Sequence, residues 1–248
     1  MKNEMHEFAL FCEALPQNST QKKQLSITEP ELVHRIKNVL RLKPEESLTL
    51  FSSTHQVTAR ILSSEKKQII VTLEEMRELQ PLSPAIHWLL PLLDREAYEH
   101  SLEQLTVMGA ASITPIITEK SRRKPAADFE RTHRLLVAAA EQSKQFVIPT
   151  YKTPITLAEA LTQTTSTLLL FCHPDGIPAQ KAIEKIQTLK STSMTCVMGP
   201  EGDFTAEERL LLKNAQGVPV ALTKTILRSE TALTVFLGIL RSFILHTA

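Results

Sequence analysis

Five short apolar runs constrain this chain most, because they are continuous where a half-wet strand would alternate. They are "AIHWLLPLL", "SITPII", "STLLLFC", "MTCVM" and "VPVAL". A strand with one wet face would place a polar residue at every second position, so these runs need cover on both faces. Helical segments supply it. "DREAYEHSLEQLTVMG" opens on Asp94 as an N-cap and stops at Gly109, and "AADFERTHRLLVAAAEQS" follows the second run. From about residue 85 the reading is an α/β domain built on a parallel sheet.

The part before it has a different texture. "ITEPELVHRIKNVLRLKPEE" returns Leu32, Ile36, Val39 and Leu40 at helical spacing and exits at Pro44. "SLTLF", "QVTARIL" and "KQIIVTLEEM" are three runs of strand type separated by polar turns. One helix and a few strands in roughly seventy residues suggest a small barrel over residues 1–75. "RELQPLSPA" reads as a linker into a second domain over residues 82–248.

Bulk properties exclude little but point consistently. With 28 basic and 27 acidic residues the net charge is +1, so any nucleic-acid contact must come from locally gathered cations. Cys12, Cys172 and Cys196 are far apart with no CxxC, which suggests neither a disulfide scaffold nor a thiolate metal site and fits a reducing cytoplasm. The N-terminus has Glu4 and His6 where a secretory signal needs an apolar core. "TALTVFLGILRSFIL" is too short for a membrane span and carries Arg241.

Open parallel sheets receive ligands at the carboxyl ends of their strands. Three such ends are chemically conspicuous: "LLLFCHPDG", "TCVMGPEGD" and "VPVALTKTILRSE". The chain has no GxGxxG and no GxxxxGK[ST], so neither common phosphate-binding fingerprint is present. Gly199 and Gly202 would instead leave peptide groups uncovered, and such groups can read a planar base. Thr205 and Glu208 form a capping box for the next helix, a structural role. Glu201, between two glycines, has no apolar neighbour to cover and reads as a site residue or a solvated acid. Ser229 is a candidate helix cap, with Glu230 in the first turn and Arg228 just outside it, either facing the ligand or pairing with Glu230. Basic residues gather at Arg122, Arg123 and Lys124, and again at His34, Arg35 and Arg41, in a pattern that suits a phosphate-rich partner or two solvated faces.

"MGPEGDFTAEE" and "LTKTILRSETALTVFLGIL" together resemble the paired C-terminal motifs of the bacterial small-subunit ribosomal RNA uracil-N3 methyltransferases, of the SPOUT superfamily. "HRIKNVLRLKPEESLTLF", "MGAASITPIITEKSRRK" and "RLLVAAAEQSKQFVIP" extend the likeness over nearly the whole chain in order. The resemblance implies an N-terminal PUA-like barrel that helps hold RNA and a C-terminal trefoil-knotted domain that works as a homodimer. It also implies S-adenosylmethionine as cofactor, transfer to N3 of a uridine in 16S ribosomal RNA, and no metal or membrane. The cofactor would be held by Phe171 and His173, by Met198, Gly199, Pro200, Glu201 and Gly202, and by Leu222, Thr225, Ile226 and Leu227. Arg228, Glu201 and Glu230 would carry the chemistry, and the two basic clusters would contact RNA. The likeness departs where the family has a further glycine and this chain has Asp203, and where "SLEQLTVMGA" lacks the family's Lys and Glu. Two other readings follow from those departures: the same fold acting on a different RNA, or a non-catalytic ribosomal RNA-binding factor.

Overall fold

The computed structural model describes residues 8–16, 23–121 and 128–244. The chain divides into two compact units, Met1–Gln80 with Ala140–Val147, and Pro81–Ala139 with Ile148–Ala248. Residues 140–147 therefore group with the N-terminal unit, although the sequence places them well inside the second domain.

The N-terminal unit is a mixed sheet of β1 (Ala9–Phe11), β2 (Lys23–Ile27), β3 (Ser47–Phe51), β4 (His55–Ser64), β5 (Ile69–Leu73) and β6 (Arg77–Glu78). Its order is β1-β3-β4-β5-β2, with β6 against β4; β1 runs parallel to β3 and the other pairs are antiparallel. Period-2 alternation makes its inner face: Leu48 and Leu50, then Val57, Ala59 and Ile61, then Ile69, Val71 and Leu73 are all buried in one cluster. The segment read as a linker thus begins with a short strand, β6.

Helix α1 (Pro30–His34) is shorter than its periodicity suggests, because the chain continues as a π-helical turn over Arg35–Val39. Leu40 N–H reaches back five residues to the Arg35 carbonyl at 2.8 Å. The extra residue per turn rotates the expected apolar stripe: Leu32, Val33 and Ile36 are buried, while Val39 is 62% exposed. Glu141, from the 140–147 segment, accepts from Arg35 Nη1 at 3.0 Å and Nη2 at 2.5 Å, and from Phe11 N–H at 2.9 Å.

The C-terminal unit carries a seven-stranded, all-parallel sheet. Its strands are β7 (Ala85–Pro91), β8 (Ser112–Ile117), β9 (Thr150–Tyr151), β10 (Ile155–Thr156), β11 (Leu169–Pro178), β12 (Ser193–Val197) and β13 (Val218–Ala221). The order is β10-β8-β7-β12-β11-β13, with β9 also on β8. Its helices are α2 (Arg95–Val107), α3 (Phe129–Ser143), α4 (Leu157–Thr162), α5 (Ala179–Thr188), α6 (Ala206–Asn214) and α7 (Ser229–Ile244). Successive residues of β7 serve two cores: Ile86, Trp88 and Leu90 join α2 and α7 residues on one side, and Leu89 joins Phe171, Val197, Phe204 and Leu212 on the other. Cover on both faces is why the runs are continuous.

Local signals behave as their chemistry requires. Asp94 caps α2, accepting from Ala97 N–H at 3.0 Å, and Gly109 beyond its end has φ 69°. Arg241 of α7 is buried and donates to three carbonyls, Met108 (3.0 Å), Gly109 (2.5 Å) and Pro84 (3.0 Å). It thereby satisfies the orphan end of α2 and fastens the last helix to the start of β7. Burial pushes its pKa down from the ordinary arginine value.

Candidate functional site

The chain leaves β12 into the turn Pro200–Asp203, closed by Asp203 N–H on the Pro200 carbonyl at 2.8 Å. Asp203 sits at φ 57°, a left-handed conformation that Asp tolerates better than most residues. Its Oδ1 accepts from Phe204 N–H at 2.7 Å. The departure from glycine is therefore accommodated: the carboxylate supplies a local hydrogen bond that glycine lacks. A Cβ on Gly199 would stand 2.8 Å from that same Oδ1, so residue 199 has no room for a side chain while Asp203 is folded this way.

Two further strand ends meet this turn. After β13, Thr223 Oγ1 donates to the Thr225 carbonyl at 2.7 Å and steadies the segment up to Arg228. Ser229, at the start of α7, donates to the Gly199 carbonyl at 2.9 Å. Its hydroxyl reaches another loop, where the sequence suggests a cap. At β11, the pairing with β13 shifts register between Cys172 and Ile177, and His173 accepts from Asp175 N–H at 3.2 Å.

These three ends enclose one cavity of about 820 Å³. Its lining includes His173, Met198, Gly199, Pro200, Glu201, Gly202, Leu222, Thr225, Ile226 and Leu227, so all but one of the expected ligand-holding residues come together. Phe171 is the exception. It is 1% exposed, packed in the core beside Val197 and Phe204, with its ring tilted 66° to that of His173, so it supports the wall from behind. Arg228, Glu201 and Glu230 all line the cavity.

Residues not assigned to the site from the sequence line it as well. Asp94 was visible as a cap, yet it also lines the cavity from the end of β7. Asp203 and Ser229 line it too, as does Cys172, whose thiol burial pushes its pKa up to about 12. A thiol so desolvated stays protonated and is no nucleophile at neutral pH. Four carboxylates, of Asp94, Glu201, Asp203 and Glu230, and one guanidinium, of Arg228, therefore border the space. That balance favours a ligand bearing positive charge.

The expected RNA contacts fare unevenly. His34 and Arg41 are exposed on the N-terminal unit, with Arg41 at φ 56°. Arg35 is committed to Glu141, which raises its pKa. Arg122, Arg123 and Lys124 lie outside the described residues. Among the described residues no group of three or more His, Cys, Asp or Glu could hold a metal, and no helix is long and apolar enough to cross a membrane.

The model of the RNA methyltransferase domain matches residues 80–241. A ribosomal RNA small subunit methyltransferase E from Synechocystis is 30% identical over 222 residues, 86% of this chain and 71% of that protein. This chain belongs to the ribosomal RNA small subunit methyltransferase E family. The Rickettsia conorii member is 25% identical over 86% of this chain and 87% of its own length. Two solved relatives each superpose with a TM-score of 0.82, covering 96% of this chain and 98% of theirs. One is a Legionella pneumophila methyltransferase in complex with its bound cofactor SAM, 26% identical. The other is the Neisseria gonorrhoeae member of the family, bound to S-adenosyl methionine, 25% identical. The fold of this family member is α/β, a PUA-like barrel followed by a SPOUT domain whose parallel sheet is trefoil-knotted. Its strand order runs non-sequentially, β7-β12-β11-β13.

Proposed function

We propose that the cavity holds S-adenosylmethionine and that the chain methylates N3 of a uridine in small-subunit ribosomal RNA. The observation that carries this reading is the convergence of the β11, β12 and β13 ends, with Arg228, on one cavity. The residues suit the cofactor. Val220, Leu222 and Leu227 offer apolar walls to a base, the uncovered peptides of Gly199 to Gly202 offer hydrogen bonds, and the carboxylates suit a cationic group.

The bound cofactor supplies an activated methyl group on a sulfonium. The protein's part is to align the base and manage its proton. Uracil N3 becomes a good nucleophile once deprotonated, so a carboxylate must accept that proton and a cation must offset the charge left on the ring. Arg228 is the cation at this cavity, and Glu201 or Glu230 accepts the proton while the other orients the base. The uridine leaves its stack to reach a recessed methyl group.

The partners follow from the same reading. The PUA-like barrel holds RNA through His34 and Arg41, and Arg122, Arg123 and Lys124 are further cations assigned to the same partner. Ile226, 93% exposed on the cavity rim, supports pairing with a second copy as a homodimer. The reaction belongs in the cytoplasm, where the ribosome is.

The test is methyl transfer to small ribosomal subunits lacking the modification, with the methylated base mapped by mass. Arg228→Ala is expected to lower kcat by about 100-fold or more while cofactor affinity changes little. Unchanged turnover would remove Arg228 from the chemistry.

A further inference from the structure

The loop after β8 reaches the cofactor turn at one point and the helix after it at another, neither required by strand pairing. Lys120 Nζ donates to the Gly202 carbonyl at 2.7 Å, from 82 residues away in the chain. Its stem lies so close over the turn that a Cβ on Gly202 would stand 2.9 Å from Lys120 Cδ. The second point is Glu208, which is only 8% exposed. Its Oε2 accepts from Thr205 N–H at 2.9 Å, completing the capping box of α6. Its Oε1 accepts from Glu119 N–H at 2.9 Å. A cap alone needs one of those oxygens. The other ties the residue beside Lys120 to the helix that follows the turn.

We propose that Lys120 and Glu208 are positioning residues that hold the Pro200–Asp203 turn in its ligand-binding shape, so that the loop after β8 sets cofactor affinity. The inference rests on the reading of the cavity as the cofactor site. The Gly202 carbonyl lies within the part of the turn that lines the cavity, between Glu201 and Asp203, and an ammonium bonded to it fixes the orientation of the neighbouring peptides. Without it the turn is free to adopt other conformations, and the competent one must be selected at a loss of affinity. Charge-assisted bonds of this kind are stronger than neutral ones, and a backbone acceptor lets them act on a turn whatever its side chains. In the sequence Lys120 is followed by Ser121 and then by Arg122, Arg123 and Lys124. Lys120 is thus a neighbour in sequence of the cations assigned to RNA and a neighbour in space of the cofactor turn.

Calorimetry with S-adenosylmethionine tests this on the full chain, using wild type, Lys120→Met, Lys120→Arg and Glu208→Gln. Methyl-transfer kinetics on small ribosomal subunits run beside it. Lys120→Met keeps the stem over Gly202 and removes the donor. It is expected to weaken cofactor binding about five- to tenfold and to raise the cofactor KM in parallel, with kcat at saturating cofactor within about twofold and an unchanged Tm. Lys120→Arg restores most of the affinity. Glu208→Gln loses an acceptor oxygen and weakens binding beyond what any fall in Tm accounts for. Wild-type affinity in Lys120→Met would overturn the inference, as would a fall in kcat with no change in KM. Wild-type protein that bound no cofactor would instead remove the reading of the cavity, and the inference with it.

Discussion

The Ser229 hydroxyl donates to the Gly199 carbonyl across 2.9 Å, joining the first residue of α7 to the turn after β12. Thirty residues separate them in sequence, and both line the cavity. The bond fixes the separation of two loops that must present their peptides to one ligand. Ser229→Ala removes the donor and leaves a partly buried carbonyl unpaired, a loss of about 1 kcal/mol in stability. Cofactor affinity is expected to fall more steeply than stability, about tenfold, because the alanine leaves the two walls unlinked. Urea unfolding and calorimetry on the same variant check both parts.

Asp203 gives a test of backbone conformation. At φ 57°, Asp203→Gly relieves what strain remains and loses the bond from Phe204 N–H and the partly exposed pair with Arg209 at 3.4 Å, so stability should move by less than about 1 kcal/mol. Asp203→Val has no such relief and should cost about 1–2 kcal/mol, the penalty of a left-handed β-branched residue. Denaturant midpoints of the two variants decide it. Equal midpoints would mean that the turn has another shape.

Arg35 and Arg41 are close in sequence and differ in employment. Arg35 is paired with Glu141, whose side chain is nearly buried, whereas Arg41 is exposed. Arg35→Ala strands that carboxylate and should cost about 2 kcal/mol, below the value for a fully buried pair because the guanidinium is partly wet. Arg41→Ala should leave stability within about 0.5 kcal/mol and reduce the dependence of RNA binding on salt. Thermal melts and filter binding at several salt concentrations separate the two roles.

Glu99 supplies a pH signature. Arg131 hydrogen-bonds it at 3.0 and 3.1 Å and Arg95 at 2.9 Å, and these bonds hold its carboxyl below the ordinary value of 4.5. A carboxyl depressed in the folded state contributes stability that is present above its unfolded pKa and lost as pH falls through its folded one. Glu99→Gln should therefore be less stable than wild type at pH 7, with the gap closing below about pH 4. Tm measured against pH for both proteins gives the answer. A constant gap would assign the loss to packing.

The parallel sheet was legible because burial on both faces writes itself into the sequence as unbroken apolar runs. The ends of α2 and α6 were legible because Asp94, Gly109 and Thr205 act on their own neighbours. The sequence carries no mark for the π-helical turn that carries Val39 outward, since nothing in "RIKNV" distinguishes it from ordinary helix. Strands β1, β9 and β10 were missed because two or three residues are too few to show a period, and β2 was missed because "KQLSI" carries only two apolar residues. The second bond of Glu208 was out of reach for another reason. Its partner is 89 residues away, and a capping box already accounts for the residue. Arg35 with Glu141, 106 residues apart, follows the same rule. Local chemistry can be read along a chain; which distant backbone group a carboxylate will meet depends on the tertiary fold.

Helix α7 closes the cavity through Ser229 and anchors itself through Arg241 on Met108, Gly109 and Pro84. During translation every earlier wall leaves the exit tunnel before these two residues do. A nascent chain that already has Gly199 and Leu222 in place still lacks the clasp between its loops and the anchor of its last helix.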